Sequence, residues 1–485
     1  MVGIKSYGAY IPLHRMPRDV MYKEWGGMPI PGERSVANFD EDSVTLAMES
    51  AIDCMKGFDP QKVDGLFFAT TTSTFKEKLC ASIMATAFDM RRDIRTMDVT
   101  GTLRVGTTAI AAAVDAIKAG SAKSILVTTG ETRMGAPGGD FEQSVGDGGA
   151  AILLGDDGVI ATIEGSYSIS DEFSGQWRAD GDDFIRSWED RMVYDQGYSA
   201  ALPEAISGLM KKYNISPDDV AKVVYDAPLD VRRHARVAGG LKFDGAKVQD
   251  PMFMNLGNTG SALAMMMLVA ALEEAKPGDK IIFAGYGNGA DAFYLQVTPE
   301  IEKVRDRRGI KGHLASKKML DNYGTYLRWR KLLTLERARR PEQAPTSIAA
   351  LWRDRRIILG LWGVKCTVCG TPQYTATPGV MGGGPPIRIC VNCQAKDQFE
   401  DYCFLGKKAK IFTFTHDNLA DSPDPPATVT VVDFDGGGRA VFDMTDRNPD
   451  EVAVGTPVEL TFRKLYHDPA RGIHNYFWKT RPIRC

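Results

Sequence analysis

A duplicated pattern constrains this chain more than any other feature. After a glycine-containing loop at Gly106 come a small-residue helix, TTAIAAAVDAIKAG, and a strand, KSILVTTG; after a second loop at Gly257 come GSALAMMMLVAALEEAKPGD and KIIFAGYG. The same loop, helix, turn and strand occur twice, which implies two similar halves. Further β-type runs, LFFATT, AAILLG and VVYDAP, alternate with Ala- and Met-rich stretches up to about residue 300. That is the pattern of an α/β domain. Both small-residue helices are apolar nearly all round, so they are expected at the centre of the molecule with their N-termini at the functional site.

At 485 residues the chain is too long for one hydrophobic core. The two halves are expected at 1–165 and 166–300. Residues 301–352 change to charged, helical sequence and read as a solvated connector. A cysteine-bearing segment, 353–400, follows. Residues 401–485 hold short alternating runs such as AKIFTFTH, ATVTVVDF and TPVELTFRKL, separated by Gly, Pro and Asp, the signature of a small β-barrel. A formal charge of −3 gives no global reason to expect nucleic acid or an anionic membrane as partner. No run of about 18 apolar residues and no charged-then-apolar leader is seen, so neither a membrane span nor a signal peptide is expected, and the location expected is cytoplasmic.

Four of the eight cysteines form two C-x-x-C pairs, Cys366–Cys369 and Cys390–Cys393. Two knuckles at this spacing can set four thiolates tetrahedrally around Zn²⁺ and close its coordination sphere, which makes the expected metal structural. Cys54, Cys403 and Cys485 have no partner pattern and read as buried or incidental.

A zinc ribbon followed by a small barrel, with LWRDRRIILGLWGVKCTVCG leading in, resembles the acyl-CoA-associated zinc-ribbon/OB-fold family, whose members accompany thiolases and hydroxymethylglutaryl-CoA synthases. The first 330 residues independently resemble hydroxymethylglutaryl-CoA synthase, in the ketoacyl synthase III branch of the thiolase superfamily. The matching stretches are MVGIKSYGAYIPLHRM, EDSVTLAMESAIDCM, SVGDGGAAILLG, NLGNTGSA and LDNYGTYLRWRKLL. The resemblance implies a five-layered α/β thiolase fold, a homodimer whose interface adjoins both active sites, coenzyme A as part of the substrate, and association with a thiolase or another acyl-CoA enzyme.

The catalytic set that the resemblance implies is largely replaced. In TMDVTGTLRVGTT the family's acyl-accepting Cys falls at Leu103, with Asp98, Gly106 and Thr107 matching around it. The general acid/base Glu falls at Thr72 in ATTTST, and the family's His falls at Asp226 in VVYDAP, beside Tyr225. Asn258 of the G-N-T motif is retained. Without a thiolate no acyl-enzyme forms at the usual place. A retro-aldol step needs only a base for a β-hydroxyl and an oxyanion site for a thioester enolate, so an acyl-CoA lyase is the expected function. Asp226 is the candidate base and Asn258 the oxyanion donor. Tyr225 and Tyr286 are candidate proton donors, and Glu142 near the implied dimer interface is a structural or catalytic candidate. Leu103 gives the pocket an apolar floor, and Arg232 and Arg233 are candidates for CoA phosphates. His234 reads as lying on a solvated helix, and Gly146, Gly148 and Gly149 as points of close backbone approach. Two alternatives stay open: a non-catalytic scaffold binding CoA esters, and an acyltransferase with a displaced nucleophile such as Cys80.

Overall fold

The computed structural model describes residues 1–336, 346–374 and 386–484. The chain divides into two compact units: Met1–Ala37, Asp42–Ala81 and Arg91–Tyr323 form the first; Asn38–Glu41, Ser82–Met90 and Gly324–Cys485 form the second.

Unit 1 is built on nine strands: β1 (Gly3–Tyr10), β2 (Gly65–Ala69), β3 (Arg95–Val99), β4 (Ser124–Glu131), β5 (Gly148–Gly155), β6 (Ala161–Ser170), β7 (Lys222–Tyr225), β8 (Lys280–Tyr286) and β9 (Gly289–Val297). They form one sheet in the order β7-β8-β9-β6-β1-β5-β4-β2-β3. The duplication is visible in its two halves. Strand β4 is parallel to β2 and antiparallel to β5, as β8 is parallel to β7 and antiparallel to β9. Antiparallel pairing of β1 with β6, through Gly3–Thr162 and Ile4–Ala161, joins the halves.

Helix α1 (Ser43–Met55) covers the outer face of the first half, and α4 (Ser199–Tyr213) the outer face of the second. Helices α3 (Val105–Lys118) and α5 (Leu263–Glu274) lie between the halves and touch strands of both. Helix, half-sheet, helix pair, half-sheet and helix make the five layers of a thiolase-like fold. The two central helices differ in one respect from the sequence expectation. Every residue of α5 from Leu263 to Leu272 is buried, whereas α3 leaves Thr108, Ala112, Asp115 and Lys118 exposed along one side. Close packing explains the glycines of SVGDGGAAILLG: a Cβ on Gly146 would lie 1.9 Å from the Leu256 carbonyl oxygen, and one on Gly149 would lie 2.6 Å from that of Thr129.

The expected solvated connector is only partly so: Lys303, Lys311 and Lys318 are exposed, but the segment is broken into short helices that also bury apolar residues. It contains helices Gly309–Ala315, Tyr323–Trp329 and Ile348–Arg353, and buries Ile301, Ile310 and Tyr326; the rest of that expectation, at 337–345, lies outside the described residues. In unit 2 a three-stranded sheet pairs Trp362–Cys366 with Pro372–Gln373 and Phe399–Cys403. Five further strands, Ala409–Asp417, Ala427–Phe434, Arg439–Met444, Pro457–Asp468 and Ile473–Pro482, close into the expected barrel. Alternation along them points Val432, Phe442, Phe462 and Trp478 into its core. Among the described residues no helix is long and apolar enough to cross a membrane.

Candidate active site

The strand ends of both halves and the start of α3 open on one cavity of about 390 Å³, within the range of small-molecule sites. Leu103, Asp226, Asn258 and Tyr286 all line it. Leu103 stands just before Arg104, the N-cap of α3, so an apolar side chain occupies the head of the helix where backbone N–H groups and the helix dipole would favour an anion. Arg104 is turned away, paired with Asp291 at 3.1 Å.

Asp226 follows the last residue of β7, and strand alternation separates it from Tyr225. Asp226 faces the cavity, while Tyr225 enters the core, where its hydroxyl donates to the His234 carbonyl at 2.6 Å and its ring stacks on His234 at 4.3 Å. Burial pushes the Asp226 carboxyl up to about 7, against backbone N–H donors of Tyr286 and Ala227 and the charge of Arg133. Its backbone is fixed by the Tyr198 hydroxyl, which donates to the Asp226 carbonyl at 2.8 Å. Asn258 is held at both ends of its amide. Nδ2 donates to the Ala227 carbonyl at 2.8 Å, and Oδ1 accepts from the Gly260 N–H at 2.8 Å. One Nδ2 proton is left for the cavity. The Tyr286 ring is braced edge-on by Tyr198 at 5.4 Å, and burial raises its phenol, so it stays a neutral donor.

Other sequence candidates lie elsewhere. Thr72 donates through its hydroxyl to Glu131 and does not line the cavity; its neighbour Thr71 does. Glu142 is fully buried, accepting from the Tyr323 hydroxyl at 2.8 Å and the Gly138 N–H at 2.9 Å, a closed arrangement away from the cavity. Arg232 pairs with Asp230 at 2.8 Å, and Arg233 pairs with Asp195 and lies over the Tyr194 ring, so neither reaches the cavity. His234 is buried, correcting the solvated expectation, and desolvation pulls its imidazole down to about 4. Cys80 starts α2 (Cys80–Ala87), whose first N–H groups are capped by the Asp98 carboxylate at 2.6 and 2.9 Å. It is fully buried, it does not line the cavity, and burial pushes its thiol up to about 11, the opposite of an activated nucleophile.

Two charged residues absent from the sequence candidates stand beside the cavity. Glu131 ends β4 with no exposure, and its carboxylate accepts from the Thr71 N–H, the Thr71, Thr72 and Ser261 hydroxyls. Arg133, two residues on, lines the cavity at 4% exposure. Charged residues spaced by two at the end of an otherwise uncharged strand, SILVTTG, were the available signal, since parity puts both on one face.

The four ribbon cysteines meet as their spacing implies. Cys366 and Cys393 Sγ atoms are 3.6 Å apart, those of Cys369 and Cys390 3.5 Å, and all four lie within 4.8 Å of one another. A tetrahedral Zn²⁺ with bonds of about 2.3 Å requires sulfur separations of about 3.8 Å, so the cluster fits that ion. Of the remaining cysteines, Cys54 is buried, Cys403 half-buried, and Cys485 lies outside the described residues.

Over 348 residues the chain is 31% identical to the hydroxymethylglutaryl-CoA synthase of Pyrobaculum arsenaticum, covering 69% of this chain and 99% of that protein. It is likewise 31% identical over 339 residues to that of Pyrococcus furiosus, covering 68% and 96%. Its fold matches a crystal structure of HMG-CoA synthase complexed with CoA, with a TM-score of 0.60 at 19% identity over 70% of this chain and 92% of that one. It also matches 3-oxoacyl-[acyl-carrier-protein] synthase III from Aquifex aeolicus, with a TM-score of 0.53 at 21% identity over 61% and 100%. Residues 404–463 match the family model of the ChsH2 C-terminal OB-fold domain.

Proposed function

Because the chain belongs to the hydroxymethylglutaryl-CoA synthase family and yet sets Leu103 at the head of α3, we propose that it is an acyl-CoA carbon–carbon lyase, cleaving a β-hydroxyacyl-CoA by retro-aldol chemistry without an acyl-enzyme. The observation that carries the reading is the buried carboxyl of Asp226, raised to about 7 and facing the same cavity as the Asn258 amide. A base poised near neutrality and a fixed N–H donor are the two groups that an aldol cleavage needs.

In this mechanism the Asp226 carboxylate takes the proton of the β-hydroxyl. The bond between Cα and Cβ breaks, its electron pair passing into the thioester enolate while the β-carbon becomes a carbonyl. Asn258 Nδ2 donates to the enolate oxygen. The proton now on Asp226, or that of the Tyr286 phenol, returns to Cα and releases the shorter acyl-CoA. Asp226 is regenerated directly in the first case and by reprotonating Tyr286 in the second. The CoA portion is inferred from the relatives, one of which was crystallised with CoA. Cys366, Cys369, Cys390 and Cys393 would hold a Zn²⁺ whose four thiolate bonds leave no position for substrate, so the ion would fold the ribbon and take no part in the reaction. A homodimer through unit 1, association with a thiolase or similar enzyme, and a cytoplasmic location complete the proposal.

The test is incubation with alkyl, aryl and steroid β-hydroxyacyl-CoA esters, with mass spectrometry of both fragments. Paired carbonyl and acyl-CoA products are expected. No cleavage of any ester would favour a scaffold, and a covalent adduct on Cys80 would favour an acyltransferase.

A further inference from the structure

One wall of the cavity is aromatic, and the backbone is bent to make it so. Phe173, Tyr194, Tyr198 and Tyr286 all line the cavity, with Val193 among them. Val193, Tyr194 and Tyr198 come from a single π-helical turn, Val193–Tyr198, and share one apolar cluster against which Tyr286 packs. In an α-helix, residues five apart stand on different sides. The i→i+5 bonding of a π-helix instead brings Val193 and Tyr198 to the same side as Tyr194, and π turns of this kind recur at functional sites. Gly197, inside the turn, has no room for a side chain: a Cβ there would lie 2.5 Å from Phe173 Cε1 and 2.5 Å from the Tyr286 hydroxyl. Glycine is what lets both rings close onto the turn.

The wall offers ring carbon more than polar groups. Phe173 has no polar atom in its side chain, and Tyr198 gives its hydroxyl to the Asp226 carbonyl at 2.8 Å. The Tyr198 and Tyr286 rings meet edge-on, with centroids 5.4 Å apart and planes at 85°. A third ring can extend such a pair at centroid separations of about 4.5–7 Å, which an alkyl chain cannot do. Two of the rings are also tied to the proposed base, Tyr198 at the Asp226 carbonyl and Tyr286 through its backbone N–H at the carboxylate. Asp226 takes the proton of the β-hydroxyl, so the aromatic wall adjoins the β-carbon. We propose that the substrate carries an aromatic ring on its β-carbon and that Phe173, Tyr194 and Tyr198 seat it. This rests on the acyl-CoA lyase reading above and names its substrate class, a β-aryl-β-hydroxyacyl-CoA. When the bond between Cα and Cβ breaks, its electron pair passes to the thioester enolate and the β-hydroxyl proton to Asp226, as before. The β-carbon leaves as an aryl aldehyde or ketone, its new carbonyl conjugated with the ring.

Calorimetry on the full-length protein with three uncleavable thioethers tests the proposal: S-propyl-CoA, S-cyclohexylpropyl-CoA and S-phenylpropyl-CoA, the last two bearing the ring on the carbon that corresponds to the β-carbon. Wild type is expected to bind the phenyl ligand about tenfold to a hundredfold more tightly than the propyl ligand, from burial of the ring. It should also prefer phenyl to cyclohexyl by about threefold to tenfold, from ring–ring contact. Cyclohexyl is the more apolar of the two, so a cavity that is only apolar would reverse that second preference. Gly197→Ala puts a methyl group between Phe173 and Tyr286 and should weaken phenyl binding about tenfold while leaving propyl binding within about threefold. Should that variant fail to fold, Phe173→Leu decides, because it keeps an apolar side chain but should lower the preference for phenyl over cyclohexyl about threefold. Cyclohexyl bound as tightly as phenyl by wild type, or the phenyl preference unchanged in Phe173→Leu, would overturn the proposal. None of the ligands can be cleaved, so a failure of the lyase chemistry leaves this result standing, whereas binding of none of the three would overturn the acyl-CoA reading and this one together.

Discussion

Replacing Asp226 with Asn probes the proposed base without knowledge of the substrate. In the unfolded chain an aspartate ionises near its ordinary 3.8, whereas in the fold burial holds this one at about 7. Between those values the native protein retains a proton that the unfolded chain has lost. The group therefore contributes stability that is full below about pH 4 and disappears as pH rises through about 7. Each pH step within the window is worth about 1.4 kcal/mol, so the whole is about 4 kcal/mol. Asn cannot titrate, and its Oδ1 can still accept from the Ala227 N–H, which donates to Asp226 at 3.2 Å. Unit 1 has about 300 residues; at roughly 2.1 cal/mol/K per residue its unfolding entropy is about 0.6 kcal/mol/K. Scanning calorimetry between about pH 5 and pH 8 spans about two-thirds of the window, so the Tm of wild type should fall about 4 °C more than that of Asp226→Asn. Parallel Tm curves would show that Asp226 ionises normally in the fold and would refute its assignment as a poised base.

With a substrate in hand, kcat/KM of wild type should rise with pH through about 7 as Asp226 ionises, and Asp226→Asn should lose that limb along with about two to four orders of magnitude in rate. Asn258→Ala should lower kcat by about two to three orders with little change in KM, as measured by initial rates, since it removes an oxyanion donor. Metal analysis should find about one zinc per chain, lost in Cys366→Ser together with Cys390→Ser, and chelation should unfold the ribbon before unit 1. Cys80→Ala should keep full activity, and the native thiol should resist alkylation until the protein unfolds, given its burial and its raised ionisation. Analytical ultracentrifugation should show a dimer at micromolar concentration; a monomer would count against the assembly.

How far the sequence could be read depended on whether the deciding contact was local. The cysteine knuckles were legible because each is a four-residue turn, and the duplicated halves because each repeats a contiguous loop, helix and strand. Leu103, Asp226, Asn258 and Tyr286 could be brought to one site because each stands at a strand end or helix start on the same edge of the sheet. Tyr225 separates from Asp226 for a reason visible in any strand, the alternation of side chains between faces. Arg232 and Arg233 both pair with Asp230, a near neighbour, and Asp195 meets Arg233 from 38 residues away. Glu142 was not legible in this way, since the hydroxyl that satisfies it belongs to Tyr323, 181 residues on.

A synthase pattern marks only its own positions, Leu103, Thr72 and Asp226 in this chain, so a charge added elsewhere, such as Arg133, belongs to no motif. Thr72 carries no carboxylate, but its hydroxyl and that of Thr71 bind the carboxylate of Glu131, which reaches the same place from the end of β4. Once Glu131 is saturated by Thr71, Thr72 and Ser261, it can balance the charge of Arg133 through space but cannot use the guanidinium's donors. Glu131 thus balances the charge of Arg133 through space, while Gln176 accepts from the two terminal nitrogens of Arg133. The altered site therefore keeps a carboxylate hydrogen-bonded to Thr72 and sets a cation, Arg133, on the cavity wall within charge range of both Glu131 and Asp226.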